Sequence, residues 1–455
     1  MYQFTARKRI TLREVGIPRI FRSLAALLCL ASLPVQAADV ATAPIENNRP
    51  ELGPVQSVES LVTLAVSQNP ELHAARTVLD AAQGQRAQAG RLANPSLQLG
   101  YATDQTFNNE GEQSFELGLA QAFPLTRRLS LEKQAADEAI RLAEAEIADQ
   151  ARLLRQEVEM TVYALAEISA QLALRGEMIE LDRESLAFIE SRIELGEASE
   201  VEANQLRLEI YSMEQAQSKL QNEQIAGLAG LRRLCGLPVD APLDLQLKFR
   251  LPDAAPALPK LNRDDLSVHP AYQMKQRMLQ LAERNLELAR AERWADIEVE
   301  VFYEEERGMD APEGLGRDRF FGVGLSLPLP LNNRNQSDIA TRRADCTRLQ
   351  WELKALEAKL LAEASTEQAM VERIYAQAMD YQSRITPTVA SNLEVMKNAY
   401  TAGQIGLTEL FRTQEQGLRI QSAQLQLMRE LAESLSRWRA ASGQNTDHLS
   451  ILCTQ

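Results

Sequence analysis

The chain has 455 residues, of which 45% are hydrophobic and only 5% aromatic, and its formal net charge is −14. Few aromatic residues and charges of both signs are typical of long packed helices and argue against both disorder and a thick globular core. An acidic surface disfavours nucleic acid and favours cations or basic proteins as partners.

Residues 1–37 have the pattern of a secretory signal peptide. Six basic residues, the first of them Arg7, precede an apolar run at 24–35, and a Val35-Gln-Ala37 cleavage pattern follows. A membrane anchor is the alternative, but twelve apolar residues are too few to cross a bilayer as a helix. Leu28 before Cys29 argues against a lipid-attachment site. We therefore expect export, which leaves a chain of net charge −19 with three scattered cysteines and no disulfide framework.

The rest of the chain reads as a duplication. FELGLAQAFPLTRR at 115–128 aligns with FGVGLSLPLPLNNR at 321–334, and ANPSLQLGY at 93–101 aligns with ADIEVEVFY at 295–303. Asn69-Pro70 is likewise matched by His269-Pro270, and Cys235-Gly236 by Ser442-Gly443. The predicted organisation is a first repeat (38–250), a proline-rich linker (251–260), a second repeat (261–443) and a C-terminal tail (444–455).

Each repeat has the same predicted elements, namely a helix beginning at a proline, two strands, a very long helix and a shorter helix. In the first repeat these are strands at about 95–103 and 113–123 and helices at about 129–195 and 200–235. In the second they are strands at about 297–305 and 319–328 and helices at about 335–401 and 407–442. Heptad spacing predicts that the long helices form coiled-coil rods on the order of 100 Å long. Thr161, Arg175 and Asp182 interrupt the first heptad pattern, and Pro387 predicts a kink in the second rod.

The predicted strands alternate between apolar and polar residues. Leu97, Leu99 and Tyr101 share one face, and Val323 and Leu325 share another. Strands of about ten residues with one apolar and one polar face are typical of transmembrane barrels, although a small soluble sandwich has the same alternation. Four strands cannot close a barrel in lipid, so the barrel interpretation requires strands from several chains, and three chains supply twelve. The strand-helix joints are predicted at three prolines, Pro124, Pro328 and Pro330.

Four acidic residues lie on the polar faces of these strands: Glu116, Glu298, Glu300 and Glu304. In a barrel they would face the lumen, where rings of carboxylates favour cations. Ordinary solvated polarity of a lumen explains them equally well, and the sequence leaves both interpretations open.

The segments ANPSLQLGY, GLSLPLPLNNRNQ, LGEASEVEANQLRLE and AYTAGQIGLTELFRTQEQ resemble outer-membrane efflux proteins of the TolC family, and in particular its CzcC-like branch. The resemblance implies an α+β fold in which a homotrimer forms a 12-stranded barrel continued by an α-helical tunnel. It implies a passive exit duct of a tripartite system in the outer membrane, with a periplasmic adaptor and an inner-membrane RND pump, and divalent heavy-metal cations as cargo. The adaptor would dock on the two helix-hairpin tips, at Gly196, Glu197, Ser199, Gly403, Gln404 and Gly406.

The sequence shows no constellation that carries catalysis. His73, His269 and His448 are isolated, and the chain has no Cys-x-x-Cys pair, phosphate-binding glycine loop or nucleophile elbow. We therefore expect no enzyme activity, cofactor or resident metal site. The alternative function is a soluble periplasmic coiled-coil adaptor, which would have one helical hairpin flanked by unrelated β domains.

Overall fold

A computed structural model describes residues 57–104, 110–196, 199–243, 245, 247–310, 314–444 and 452–454. The predicted signal peptide, Glu197, His448 and most of the C-terminal tail lie outside these residues. None of the helices in the described part of the chain is long and apolar enough to cross a membrane.

The described residues of the first repeat form four helices and three strands. They are α1 (Val58–Gln68), α2 (Pro70–Gln88), β1 (Ser96–Thr103), β2 (Gln113–Phe123), α3 (Arg128–Glu194), α4 (Glu200–Leu234) and β3 (Leu247–Phe249). Helix α3 has 67 residues, which at 1.5 Å per residue makes it about 100 Å long.

The second repeat has the same order with one interruption. Its elements are a 3-10 helix (Asp264–Val268), α5 (Pro270–Ala291), β4 (Ile297–Arg307), β5 (Met309–Asp310), β6 (Gly314–Leu315), β7 (Asp318–Ser326), α6 (Gln336–Asp380), a π-helix (Tyr381–Ile385), α7 (Thr386–Thr401) and α8 (Leu407–Ser442). A short strand in the tail, β8 (Leu452–Thr454), pairs with β3, although the sequence analysis assigned no structure to the tail.

The second long rod is not one helix. Pro387 lacks an N–H and crowds the preceding turn, and the backbone widens into the π-helix just before it. The hydroxyl of Thr388 donates to the carbonyl oxygen of Arg384 at 2.7 Å and satisfies one carbonyl in this turn. The interruption therefore lies where the sequence predicts a kink.

The four long strands form one antiparallel sheet in the order β1-β2-β4-β7. Tyr101 pairs with Phe115 in the first hairpin, and Tyr303 pairs with Phe321 in the second. These are equivalent positions in the sequence alignment, so the two hairpins have the same register. Strands β2 and β4 join the repeats, and β1 and β7 are the two edges of the sheet.

The helices form two hairpins, α3 with α4 and α6–α7 with α8, and α3 also packs against α2, α5 and α8. Because α3 has so many neighbours, its buried stripe is wider than the predicted a/d seam and includes Val162, Tyr163 and Ala166. One apolar core lies around Val158, Leu231 and Trp438. A second, smaller cluster near the hairpin tips contains Met178, Ile179, Ile189, Ala203, Leu206, Ile210, Met213 and Leu407.

Candidate functional site in the strand faces and hairpin tips

The sheet has one apolar face, and much of it is exposed. Registered pairs such as Leu99–Leu117 and Val301–Val323 put the predicted apolar residues of all four strands on the same side. Val323 is 69% exposed and Phe321 76%. Exposing so many large apolar side chains in water is unfavourable, so this face requires either lipid or a protein partner. The exposed members are Leu97, Leu99, Tyr101, Leu119, Val301, Phe321, Val323 and Leu325.

The opposite face brings the four predicted acidic residues together. Glu116 pairs directly with Glu304 in the ladder, so two carboxyl groups stand side by side on neighbouring strands. Glu300 and Glu298 lie four and six residues before Glu304 on β4, and none of the four has an ion-pair partner among the residues that the structure describes. Like charges directly opposite on a sheet repel, and a nearby cation would relieve this repulsion.

Glycines on the polar face make room for larger neighbours. A Cβ atom built at Gly118 would lie 2.8 Å from Oε1 of Glu300, and one at Gly322 would lie 2.4 Å from Cζ of Phe302. The sequence analysis did not assign Phe302 to this face. The signal was present, because Phe302 alternates with Glu300 and Glu304, and it pairs with two glycines, Gly118 and Gly322.

The predicted prolines lie where the strands give way to helices. Pro124 follows β2 directly, and Pro328 and Pro330 follow β7. Since proline has no N–H to donate, the ladder ends there. At the first joint, Arg128 forms 2.7 Å ion pairs with Glu132 and Asp296, which ties the start of α3 to the residue before β4.

The tip between α3 and α4 turns at Gly196, whose φ of 76° is left-handed. Its N–H donates to the carbonyl oxygen of Ile193, and the hydroxyl of Ser199 accepts from the N–H of Val201 and caps α4. Glu197 lies outside the described residues. Glycine is favoured here because it has no Cβ atom, whereas the Cβ atom of any other residue makes this backbone conformation unfavourable.

The tip between α7 and α8 also turns at a left-handed glycine. Gly403 has φ of 73°, and the N–H of Gln404 donates to the carbonyl oxygen of Ala399. Gly406 is the N-cap of α8, with an extended backbone and no side-chain cap. Gly403, Gln404 and Gly406 are all exposed, as are Gly196 and Ser199 at the first tip.

Each repeat also has a buried junction between the start of its proline-initiated helix and the end of its last helix. In the first junction (Asn69, Leu234 and Gly236), the Asn69 side chain accepts from the N–H of Leu72 and donates to the carbonyl oxygen of Leu234. In the second junction (His269, Ala440 and Gly443), Nδ1 of His269 accepts from the N–H of Ala271. Nε2 of His269 lies 2.9 Å from the carbonyl oxygen of Ala440. His269 is therefore a neutral helix cap that carries its proton on Nε2.

The comparisons with known proteins agree with this architecture. The sequence profile of the outer membrane efflux protein family matches residues 61–237, which make up most of the first repeat. The chain has the fold of outer-membrane efflux channels. It superposes on CusC with a TM-score of 0.70 at 18% identity, over 85% of this chain and 92% of CusC.

Two further solved structures of outer-membrane proteins are similar over the same share of the chain. The outer membrane protein VceC of Vibrio cholerae has a TM-score of 0.67 at 16% identity, with 85% of this chain and 96% of VceC covered. The open-state outer membrane channel MtrE of Neisseria gonorrhoeae has a TM-score of 0.65 at 16% identity, with 85% of this chain and 88% of MtrE covered. No curated protein sequence matches this chain significantly.

Proposed function

We propose that this chain is the outer-membrane exit duct of a tripartite efflux system, exported by its signal peptide and passive by itself. The observation that carries the proposal is the exposed apolar face of a four-stranded sheet with two open edges. Lipid would cover this face, and three chains would pool twelve strands to close the edges. The fold shared with outer-membrane channels supports the same interpretation. We propose no catalytic role.

Because the chain is duplicated, the contact between its two repeats predicts how neighbouring chains contact each other. Inside one chain, the first repeat contacts the second through β2–β4 and α3–α5. In a closed ring of repeats, the second repeat contacts the first repeat of the next chain in the same way. Strand β7 is the counterpart of β2, and β1 is the counterpart of β4, so β7 pairs with β1 of the next chain.

This equivalence fixes the register across the proposed interface. Leu117 pairs with Tyr303 between the repeats. Sequence alignment places Val323 at the position of Leu117 and Tyr101 at that of Tyr303. Val323 of one chain therefore pairs with Tyr101 of the next, and both side chains are exposed in the single chain.

The test is a cysteine pair at these two positions. Paired strand residues have Cα atoms about 4.5–5.5 Å apart, within reach of a disulfide. We expect mild oxidation of the Val323→Cys/Tyr101→Cys variant to cross-link outer-membrane material into covalent trimers. The matched control is Val323→Cys/Leu97→Cys, which is four residues out of register and should stay uncrosslinked. Cys235 and Cys346 are buried and free, so they should not compete. A soluble monomer in the periplasm would overturn the duct and favour the adaptor alternative.

The acidic polar face would line the lumen, and we propose that it favours cations over anions. This is also the feature that bears on the heavy-metal cargo that the CzcC-like resemblance implies. The measurement is the reversal potential of single channels in a salt gradient. The double variant Glu116→Gln/Glu304→Gln should lose part of the cation preference while the conductance stays similar. An unchanged reversal potential would show that these carboxylates only make the lumen polar and do not select cations.

The two hairpin tips would meet the periplasmic adaptor, which in turn would link the duct to an inner-membrane RND pump. Both tips are exposed and held by left-handed glycines. Replacing Gly403 by valine should impair efflux while the protein still inserts as a trimer, because the change is confined to the tip. Normal efflux in this variant would count against docking at the tip.

A further inference from the structure

The seam between the two hairpins, where α3 packs against α8, contains three buried acidic side chains of α3. The first, Glu159, is 2% exposed, receives a hydrogen bond from the hydroxyl of Ser436 and lies 2.9 Å from Nη1 of Arg439. The second, Glu167, lies 2.8 Å from Nη1 of Arg429. Each of these carboxylates therefore has an arginine of α8 as its partner, as a buried charge requires.

The third buried acid is Asp182, and its surroundings differ. It is fully buried, and neither carboxyl oxygen has a hydrogen-bond partner among the described residues. At its level α8 offers Gln414, a neutral side chain that is 4% exposed and whose Oε1 also has no partner. Ile179 and Leu186, one turn to either side on α3, belong to the apolar cluster near the tips.

No described cation faces this carboxyl group. The charged group that acts on it from α4 is Glu209, and the side chain that α8 places beside it, Gln414, is neutral. On α3 the adjacent Arg183 is half-exposed and pairs with Glu180 and Glu214 instead. Burial, reinforced by the charge of Glu209, raises the pKa of Asp182 to about 6. The nearby amide of Gln414 offsets part of this shift.

We propose that a proton on Asp182 acts as a latch that holds α8 against α3 and α4 near the tips, and that loss of this proton loosens the seam there. A neutral carboxyl group can donate to Oε1 of Gln414, so one proton satisfies both unpaired side chains. A carboxylate can accept only from the amide of Gln414, and because no described cation neutralises its charge in this apolar cluster it must be hydrated, which requires the helices to separate.

The sign of the pH dependence follows from linkage. The carboxyl pKa is raised in the packed seam from its ordinary value of 3.8, so the packed state binds the proton more tightly than the open state. The stabilisation is complete at low pH and is lost as the pH rises from about 4 to about 6. Asp182 lies twelve residues, or about 18 Å, above the end of α3, so loosening there frees the tips to move apart.

The test is hydrogen exchange of the purified full-length protein, read in the peptides around residues 178–193 and 407–418 and corrected for the chemical pH dependence. We expect the opening equilibrium of these peptides to increase about tenfold between pH 5 and pH 7.5. The neutral variant Asp182→Asn should remove this dependence. The control Glu167→Gln, at a carboxylate that has its arginine, should retain it.

A second variant tests the acceptor. Gln414→Leu leaves Asp182 without a hydrogen-bond acceptor and should increase opening at pH 5, where the latch is otherwise closed. Exchange in the unmodified protein that does not change with pH, or a dependence that persists in Asp182→Asn, would overturn the latch. The role of the tips in transport rests on the proposed function, but this assay does not. A soluble monomer would overturn the duct and leave the exchange result standing.

Discussion

In the first repeat the residue before the helix-initiating proline is Asn69, and in the second repeat it is His269. Both side chains are buried, both cap the helix that follows, and both reach the carbonyl oxygen of a residue in the last turn of the repeat's last helix. The glycine that ends this helix is left-handed in both cases, with φ of 65° at Gly236 and 68° at Gly443. The two junctions therefore have the same backbone conformation and the same hydrogen bonds, but a different side chain makes those bonds.

The same pair of hydrogen bonds can therefore be made by a side chain that titrates or by one that does not. An amide donates and accepts at any pH, whereas an imidazole does both only when it is neutral. Burial lowers the pKa of His269 and so keeps it neutral. The two junctions therefore differ in their response to acid and in how tightly their glycines are packed, and both differences can be measured.

We expect the largest difference in stability between alanine variants of the two junction glycines, Gly236 and Gly443. A Cβ atom at Gly236 would lie 2.3 Å from the backbone oxygen of Gln68, whereas one at Gly443 would be 3.0 Å from Cδ2 of His269. Gly236→Ala should cost about 3–5 kcal/mol, because overpacking adds to the left-handed backbone. Gly443→Ala should cost about 1–2 kcal/mol. The measurement is the apparent melting temperature of the detergent-solubilised protein, and equal shifts would show that the junctions are packed alike.

The second expected effect concerns the edge strand of the second repeat. Val323→Lys puts a charge on the exposed apolar face and should prevent assembly in the membrane, at a cost of about 2–4 kcal/mol in each chain. The control is Ser326→Lys, on the polar face and opposite Glu298, which should assemble normally. The readout is the amount of trimer in outer-membrane fractions. Assembly of the Val323 variant alongside failure of the control would mean that the two faces are reversed.

The third expected effect is smaller and compares the two tips. A Cβ atom at Gly196 or Gly403 would meet nothing within 4 Å. Alanine at either position should therefore destabilise the tip only through its left-handed backbone conformation, by about 1–2 kcal/mol. Gly406→Ala is the control, because φ is −85° there and alanine adopts it without strain. Hydrogen exchange at each tip gives the local cost. A much larger effect at one tip would reveal contacts that the single chain lacks.

The smallest expected effect is the acid response of the second junction. The pKa of His269 is lowered from 6.5 by burial, so below about pH 6.5 the unfolded chain binds a proton that the folded junction does not. The free energy of unfolding should therefore decrease as the pH is lowered through this range. The expected loss is about 1 kcal/mol, which is the usual cost of losing a helix cap. His269→Asn, which copies the first repeat, should remove the loss. Asn69→His should add a similar loss at the first junction, and melting temperatures at pH 5 and pH 7.5 test both.

Much of this architecture can be read from the sequence because it is recorded locally. Alternation with period two determines which side chains share a sheet face, and the register found in both hairpins places Leu99 and Val323 on the predicted apolar side. Prolines mark strand ends because they have no N–H, and glycines mark the tips because the chain needs a left-handed residue there. The duplication is visible as a repeated pattern, and it predicts that what holds for one repeat holds approximately for the other.

The partners of residues that are far apart in the chain cannot be read from the sequence, because they depend on how the helices pack. Glu167 and Arg429 are 262 positions apart, and heptad spacing cannot indicate that they meet, whereas Asp182 on the same helix meets no arginine within the described part of the chain. In the sequence, Asp182 is only an interruption of the apolar pattern. Its meaning depends on which helix packs against it, because the energy of a buried charge is set by its neighbours in space rather than by its neighbours in the chain.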